Sequence, residues 1–237
     1  MIAAARCAVI IPCWNEAATI GPLVERVRAY VPQVIVVDDG SDDATASTAL
    51  AAGACVQQHS RRRGKGAALR TGLRHAAALG FSWAITLDGD GQHEPDCIPA
   101  FVERQALTHA TLVVGNRMTA AGQMPWLRRT ANRWMSRRLS NRTGREFPDS
   151  QCGFRLVQLD AWSALRIESD HFEVESETLL AFIAAGERVE FVPIPVVRSP
   201  RPSRIRLVPD TLRWLRWWRR TRPMVAFADA QPELASP

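Results

Sequence analysis

Two aspartates separated by a single glycine are the side chains of this sequence best suited to chemistry. Asp88 and Asp90 lie in residues 87–93, LDGDGQH, directly after an apolar run of β-strand character. Carboxylates this close repel each other unless a cation or a bound proton lies between them, and Gly89 and Gly91 let the backbone turn sharply. Oxygen-rich sites of this kind suit hard divalent cations such as Mg²⁺ or Mn²⁺. Because an ordinary turn also contains Asp and Gly, the other segments must decide between a metal site and a turn.

Four polar segments follow predicted strands in the first half of the chain. They are residues 12–16, 38–42, 63–66 and 88–93. Strands that alternate with helices in this way are typical of an α/β fold with a doubly wound, mostly parallel sheet and helices on both faces. Ligands of such sheets bind beyond the carboxyl ends of the strands. We therefore expect the four segments to meet at one rim of the sheet.

The hydrophobic pattern predicts the positions of the elements. Strands are predicted at residues 7–11, 34–37, 55–59, 81–87, 111–115 and 189–194, with a short strand after a polar loop at 149–155. Helices are predicted to open at residues 15–16, to end at Ala52 and at Ala78, and to cover residues 95–108, 124–139, 173–185 and 207–220. Asp42 or Asp43 is predicted to cap the helix that ends at Ala52.

Two of these helices are basic and amphipathic. In residues 124–139 the predicted apolar face consists of Leu127, Ala131, Trp134 and Met135. In residues 207–220 four arginines share one side and Trp214, Leu215, Trp217 and Trp218 the other. Such a helix fits either a membrane interface or packing on the domain itself. We predict a main domain at residues 1–206, this helix at 207–222 and a disordered tail at 223–237.

Composition restricts the class of protein. The chain has 237 residues, of which 46% are apolar and 23% charged, and its net charge of +6 comes mostly from arginine. Arginine suits the recognition of phosphate, so an anionic partner is expected. The five cysteines form no C-x-x-C pair, which favours reduced thiols in a cytoplasmic protein. No stretch approaches the roughly 20 apolar residues of a membrane span, so any contact with the inner face of the membrane would be peripheral.

Together these motifs resemble the family 2 glycosyltransferases, particularly the branch of dolichyl- and polyprenyl-phosphate sugar synthases. The similarity covers about residues 7 to 206 and includes, in the order usual for the family, residues 11–16 (IPCWNE), 37–45 (VDDGSDDAT), 63–68 (RGKGAA), 87–93 (LDGDGQH), 115–117 (GNR) and 149–155 (DSQCGFR). The resemblance implies a Rossmann-like GT-A fold, a nucleotide-sugar donor (a GDP- or UDP-sugar) and a divalent metal, Mg²⁺ or Mn²⁺.

The resemblance also assigns roles on the donor side. The residues that it places at the donor are Pro12, Asn15, Glu16, Asp38, Asp39, Lys65 and Asp88. Carboxylates there would accept hydrogen bonds from the base and the ribose. Asp90 is the preferred metal ligand, with Asp88 and Gln92 assisting, and the metal would neutralise the departing nucleoside diphosphate. We interpret His93 as a structural turn residue, Asp42 as a helix cap or a ligand contact, and residues 61–63 as a solvated basic surface.

The acceptor decides which further groups are needed. A hydroxyl acceptor requires a general base, for which Asp149 is the best candidate beside an equally plausible loop-capping role. A phosphomonoester, with a second pKa of about 6, is already ionised and needs cations instead. The residues expected to hold an acceptor phosphate are Arg117, Arg198, Arg201, Ser203 and Arg204. Residues 198–204 resemble the R-x-x-G-x-S-K stretch of polyprenyl-phosphate transferases, except that Arg201 replaces Gly and Arg204 replaces Lys.

Three hypotheses follow. The first is an inverting, metal-dependent transferase that moves a hexose from a nucleotide sugar to polyprenyl phosphate, with Asp90, Arg117 and Asp149 as catalytic candidates. The second keeps the donor and uses a saccharide or small-molecule hydroxyl as acceptor. The third is a nucleic-acid-binding protein, which the scattered aromatics and the lack of a recognisable nucleic-acid module argue against. The first hypothesis therefore predicts no nucleic-acid partner.

Overall fold

The computed structural model describes residues 6–197 and 207–221. Its seven strands are β1 (Cys7–Cys13), β2 (Val34–Asp38), β3 (Cys55–Gln58), β4 (Trp83–Thr86), β5 (Leu112–Asn116), β6 (Arg155–Gln158) and β7 (Val189–Pro193). They form one sheet in the order β3-β2-β1-β4-β6-β5-β7. β6 is antiparallel to β4 and β5, whereas every other pair in this sheet is parallel. The predicted mostly parallel α/β sheet is confirmed.

Eight α-helices accompany the sheet in the described part of the chain. They are α1 (Ala17–Arg28), α2 (Thr45–Ala51), α3 (Lys65–Ala78), α4 (Ile98–Thr108), α5 (Trp126–Thr143), α6 (Leu159–Ser163), α7 (Val174–Ala184) and α8 (Leu207–Arg220). Short 3₁₀ helices lie at Pro95–Cys97 and Met118–Gln123. The bounds predicted for α8 are confirmed, whereas α6 was not predicted.

The central strands are covered on both faces. All five residues of β2 are buried, as are six of the seven in β1, and side chains in a strand point alternately to opposite faces. α3 approaches the sheet closely at Gly72, where a Cβ atom would lie 2.3 Å from Cγ2 of Ile10. The tight packing fixes the N-terminus of α3, and with it Lys65, against the end of the sheet.

The predicted end of β1 was wrong, and the predicted cap of α2 was correct only in part. β1 does not stop at Ile11 but continues through Pro12, which is paired with Val37 of β2. The pairing of β1 with β4 ends at Ile10. Pro12, which has no backbone N–H, therefore interrupts no hydrogen bonds between these two strands. The residue at the N-cap of α2 is Ala44, but Oδ1 of Asp43 accepts the backbone N–H of Thr45, the first residue of α2, at 2.9 Å. Asp42 instead donates its backbone N–H to Oδ1 of Asn15 at 2.8 Å.

The face predicted for α5 was correct at Met135 and wrong at Leu127 and Trp134. Leu127 and Trp134 are 46% and 36% exposed, whereas the buried residues are Asn132, Met135, Ser136 and Leu139. The buried polar pair has partners: Asn132 donates to Asp149 at 2.7 Å, and Ser136 donates to Ser150 at 2.9 Å. A hydrophobic pattern cannot reveal a face whose burial depends on such distant partners.

The tryptophan side of α8 packs on the domain. Trp214 is 2% exposed, stacks on Trp218 at 5.2 Å between ring centroids, and donates from Nε1 to Oγ of Ser176 at 2.9 Å. The guanidinium of Arg142 lies 3.2 Å from the centroid of the Trp218 ring. For Trp214, packing on the domain's own core is therefore the correct alternative. Within the described ranges, no helix has the length and apolarity needed to cross a bilayer.

Candidate active site

A cavity of about 410 Å³ lies at the carboxyl ends of the parallel strands. Each of the four predicted polar segments contributes to its lining, through Pro12, Asp39, Lys65 and Asp90 among others. The expectation that these segments meet at one rim is confirmed. The opposite walls come from α5, from the start of α7 and from α8, none of which was predicted to reach the four loops.

Lys65 connects two walls of this cavity. It is the only lysine in the sequence, and its Nζ lies 2.6 Å from Oδ1 of Asp88 and 2.6 Å from Oε1 of Glu175. Burial lowers the pKa of the ammonium, but the two carboxylates outweigh burial and raise the pKa above its ordinary value. Lys65 is therefore a fixed positive charge. Its place at the first residue of α3, after Gly64 with φ of +104°, explains how the loop brings it there.

The two aspartates of the Asp-Gly-Asp loop are held differently. Burial raises the pKa of the Asp88 carboxyl, but Lys65 and His93 together lower it below its ordinary value. Burial and then the charge of Asp88 raise the pKa of Asp90. Asp90 accepts only from Gln92, at 3.0 Å from the backbone N–H and 2.8 Å from Nε2, and no cation of the described residues pairs with it. Asp90 is therefore the carboxylate that an added cation would stabilise most.

The residues of this loop fit a divalent cation shared with a substrate. Mg²⁺ is usually bound through one or two carboxylates together with substrate phosphates and water. In the described part of the chain no group of three or more His, Cys, Asp or Glu side chains could hold a metal ion. Gln92 turns its Oε1 towards Arg128 at 3.3 Å, so the amide must rotate before it can share a cation with Asp90.

His93 has a structural position. It is 3% exposed, its Nε2 lies 3.3 Å from Oδ2 of Asp88, and its ring meets that of Phe154 edge to face at 5.5 Å between centroids. Nδ1 has no partner among the described residues. These contacts agree with the interpretation of His93 as a structural residue, and the contact with Asp88 adds that His93 orients this carboxylate.

Arg117 is fixed by Asp149. Its Nε and Nη2 donate to the two carboxylate oxygens at 2.8 and 2.9 Å, and its backbone N–H donates at 3.0 Å. Asp149 is fully buried and also accepts from Asn132. Although burial raises the pKa of Asp149, Arg117 outweighs it and lowers the pKa below its ordinary value. Asp149 does not line the cavity, whereas Arg117 does.

A second arginine faces the same space. Arg128 lines the cavity, and burial together with the nearby charge of Arg117 lowers its pKa. Two guanidinium groups that repel each other at the edge of a cavity would both be stabilised by an anion. The sequence pattern placed Arg128 on the solvent face of its helix, so this residue was missed.

Asp39 anchors the basic loop before α3. Its carboxylate accepts from the backbone N–H groups of Arg63 and Gly64 at 2.9 and 2.7 Å, and its Oδ1 lies 2.7 Å from Nδ1 of His59. Arg62 is exposed and stacks over the ring of Trp14 at 3.7 Å. Both Arg62 and Trp14 line the cavity, so part of the surface interpreted as solvated reaches the site.

The predicted donor residues do not all reach the cavity. Glu16 and Asp39 line it together with Pro12, Lys65 and Asp88.

Asp38 and Asn15 are not among the lining residues. Asp38 accepts from Ser41 and Gln58, while the side-chain oxygen of Asn15 accepts from Asp42. Arg198, Arg201, Ser203 and Arg204 lie outside the described residues.

Two glutamates at the start of α7 were missed as site residues. Glu173 and Glu175 are 6% and 4% exposed, and both line the cavity. Oε2 of each has no hydrogen-bond partner among the described residues. Burial raises the pKa of Glu173. The pattern of polar and apolar residues does not distinguish these two glutamates from a solvated helix N-terminus, so the sequence contained no signal that identified them.

Comparison with known proteins places this site in a family. A model of the family described as "Glycosyl transferase family 2" matches residues 8–165. The chain is 30% identical over 207 residues to an undecaprenyl-phosphate mannosyltransferase of Micrococcus luteus, covering 79% of this chain and 82% of the relative. It is 28% identical over 210 residues to a UDP-N-acetylglucosamine–dolichyl-phosphate N-acetylglucosaminyltransferase of Methanococcus voltae, covering 79% and 83%.

The fold has solved counterparts. The crystal structure of glucosyl-3-phosphoglycerate synthase from Mycobacterium tuberculosis, in complex with Mn²⁺, UDP-glucose and phosphoglyceric acid, matches with a TM-score of 0.71 and 22% identity, covering 88% of this chain and 77% of that one. This likeness supports the GT-A fold. Because the family match covers more than half of the residues, the chain belongs to glycosyl transferase family 2 and is a nucleotide-sugar-dependent glycosyltransferase.

Proposed function

We propose that this enzyme transfers a hexose, with inversion, from a UDP- or GDP-sugar to a polyprenyl phosphate in the presence of Mg²⁺ or Mn²⁺. The observation that carries the proposal is the pair formed by Arg117 and Asp149. It presents a fixed cation to the cavity and occupies the carboxylate that would otherwise be the best candidate for a base. A phosphate acceptor needs the cation and does not need the base.

The donor half rests on the four loops at the rim of the sheet. Glu16 and Asp39 line the cavity as hydrogen-bond acceptors for the nucleoside, while Lys65 supplies a positive charge beside Asp88. The Methanococcus relative is named for a UDP-sugar and the Mycobacterium structure contains UDP-glucose. These names favour a UDP-sugar as the first donor to test, with a GDP-sugar as the alternative.

Asp90 and Asp88 would hold the cation, with Gln92 assisting after its amide rotates. When bound, such a cation stabilises the negative charge that develops on the leaving diphosphate. The protein's own contribution is to position Asp90 through two hydrogen bonds from Gln92 and to keep Asp88 ionised beside Lys65. Both carboxylates are in place before substrate arrives, so apart from the rotation of the Gln92 amide little reorganisation is needed.

Arg117 and Arg128 would orient the acceptor. A phosphate oxygen attacks C1 of the sugar from the face opposite the diphosphate, the new C–O bond forms as the bond to the diphosphate breaks, and the configuration at C1 inverts. Arg198, Arg201, Ser203 and Arg204 remain proposed partners of the same phosphate. The described residues on either side of them lie near the cavity. β7 ends at Pro193 beside Asn116, which precedes Arg117, and Asp210 and Arg213 of α8 line the cavity.

A lipid acceptor also calls for contact with a membrane surface. Trp126, Leu127 and Leu212 are 66%, 46% and 48% exposed, and Arg216, Arg219 and Arg220 on α8 are exposed as well. Exposed aromatic and aliphatic groups beside arginines suit an anionic bilayer surface. We therefore propose peripheral membrane contact at the cytoplasmic face.

One observation favours a second candidate, transfer to a hydroxyl. Glu173 faces the cavity, has an unpartnered carboxylate oxygen and has a raised pKa, which are properties of a general base. The two candidates differ in whether the acceptor must carry a phosphate.

The test measures transfer from radiolabelled UDP-glucose, UDP-N-acetylglucosamine and GDP-mannose to a short-chain polyprenyl phosphate, with the unphosphorylated polyprenol as the matched acceptor. We expect a metal-dependent lipid product from the phosphate only, lost in Asp90→Ala and retained in Glu103→Gln, which changes an exposed residue of α4. Product from the polyprenol, or from a soluble saccharide alone, would contradict the proposal and favour the second candidate.

A further inference from the structure

We propose that Glu175 recognises the sugar of the donor. Its Oε2 would accept a hydrogen bond from a hydroxyl group of the hexose that is transferred. The inference rests on the proposed function for the identity of the donor. It begins from Glu175, a residue of the cavity lining whose Oε2 is buried and has no hydrogen-bond partner among the described residues.

An unpartnered buried carboxylate oxygen needs an explanation. Leaving a charged acceptor unsatisfied in the protein interior is costly, and native structures rarely do so without a ligand or water in the space. Glu175 is 4% exposed, so bulk solvent does not replace a partner. A group that enters the cavity is then the natural donor for Oε2. Glu173, two residues earlier, has the same feature: its Oε2 has no partner among the described residues, and the residue is 6% exposed.

The chemistry of the incoming group follows from the charge of the wall. A carboxylate accepts hydrogen bonds and repels phosphate, so this wall is unsuited to the diphosphate or to the acceptor phosphate. Arg117 and Arg128, the cations that suit phosphate, lie elsewhere in the lining, whereas Lys65 and Arg213 on this wall are already paired with carboxylates. A neutral group with several hydroxyl donors is what two glutamates at the start of α7 would bind.

The position of Glu175 makes that group the sugar. One ammonium, Nζ of Lys65, lies 2.6 Å from Asp88 and 2.6 Å from Oε1 of Glu175. Glu175 is therefore a close neighbour of the loop proposed to hold the cation that neutralises the diphosphate. The sugar is bonded to that diphosphate, so it is the hydroxyl-bearing part of the donor that comes within reach of Oε2.

A purely structural role is the competing explanation. A glutamate in the first turn of a helix is favoured by the helix dipole, and the pair with Lys65 could be its whole purpose. In that case a change at Glu175 would weaken binding of the nucleoside diphosphate and of every sugar nucleotide alike. Recognition of the sugar instead predicts an effect that depends on one particular hydroxyl.

The experiment is a cycle between Glu175→Gln and donors that lack single hydroxyl groups. Titration calorimetry with Mn²⁺ measures binding of UDP, of UDP-glucose and of its 2-, 3-, 4- and 6-deoxy forms, with the GDP-mannose series used if that is the active donor. We expect Glu175→Gln to bind UDP within about twofold of wild type and the complete donor roughly 10- to 100-fold more weakly, as expected for a hydrogen bond to a charged group. One deoxy donor should bind equally to both proteins.

Controls separate this from misfolding and from the proposed function. Glu103→Gln is the same substitution at an exposed site and should leave every affinity unchanged, and Glu175→Asp keeps the charge and should recover part of the affinity. Because the chain contains one lysine, ¹⁵N-lysine labelling gives one side-chain signal that reports whether Lys65 keeps its environment.

Equal weakening of UDP and of all sugar nucleotides would overturn the inference, as would losses that simply add at every deoxy position. The inference would also be overturned if the wild-type protein bound every deoxy donor as tightly as the complete donor, and this measurement needs no variant. If the wild-type protein binds sugar nucleotides but glycosylates no polyprenyl phosphate, the proposed acceptor is wrong. The comparison of Glu175→Gln with the deoxy donors still tests the inference in that case. If wild type binds no sugar nucleotide, both fail together.

Discussion

Replacing Asp149 by Asn tests whether this residue is a base or a support for Arg117. The carboxylate is fully buried and accepts three hydrogen bonds from Arg117 and one each from Asn132 and the backbone of Gln151. An amide at this position keeps one oxygen, so whichever way it turns it loses at least two of these bonds. It also leaves the guanidinium of Arg117, whose side chain is 13% exposed, without its counter-charge.

The expected loss of stability follows from these contacts. Removing one partner of a buried ion pair typically costs about 3–5 kcal/mol, which for a chain of this length lowers Tm by about 6–20 °C. The folded-state pKa of Asp149 lies below its ordinary value, so its contribution is present above roughly pH 4 and is lost as the pH falls through the lowered pKa. Thermal unfolding of wild type and Asp149→Asn should differ fully at pH 7 and converge only under acid conditions.

The catalytic consequence separates the two roles. A displaced Arg117 should raise KM for polyprenyl phosphate more than it lowers kcat, and the pH dependence of kcat should keep its shape. Arg117→Lys, which keeps the charge but not the paired hydrogen bonds, should reproduce part of this effect. The reasoning is refuted if Asp149→Asn unfolds at the wild-type temperature and loses kcat together with the basic limb of the pH profile.

Three further changes test the packing around the site. Trp214→Ala should lower stability by about 3–5 kcal/mol in thermal or urea unfolding, whereas Leu212→Ala, at a half-exposed position on the same helix, should change it by less than about 0.5 kcal/mol. Gly66→Ala places a methyl 2.0 Å from a backbone oxygen and should cost about 1–3 kcal/mol and reduce donor affinity, while Gly122→Ala, with open space around it, should do neither. Lys65→Arg should lower donor turnover by roughly 100-fold despite keeping the charge, because the longer, planar guanidinium cannot place one nitrogen 2.6 Å from both carboxylates and so displaces Asp88. Lys65→Met serves as the uncharged comparison.

The sheet and the meeting of the four loops were predictable because their causes are local. Apolar runs ended by Asp, Gly and Pro define the strands, and the rule for parallel sheets then brings Asp39, Lys65 and Asp90 to one rim. The bounds of α8 were predictable for the same reason, since its tryptophans and arginines recur at helical spacing.

The rest depends on partners that are distant in sequence. Asn132 turns inward on α5 because Asp149 accepts its hydrogen bond, and that burial moves the apolar face away from Leu127 and Trp134. Glu175 becomes a site residue only because α7 faces Lys65 across 110 positions of the chain. A pattern of polar and apolar letters contains neither pairing.

The cavity also shows how a site can be prepared for several charges at once. Asp149 holds the guanidinium of Arg117 from behind, and Lys65 neutralises Asp88 and reaches Glu175, so these charges are fixed by the protein. Asp90 has no such cationic partner among the described residues, and burial together with the charge of Asp88 raises its pKa. Fixed charges in a sheltered site stabilise developing charge without reorganisation, whereas an uncompensated one attracts its counter-ion. We therefore expect the uneven compensation to direct the cation to Asp90, phosphate to Arg117 and neutral hydroxyl groups to Glu175.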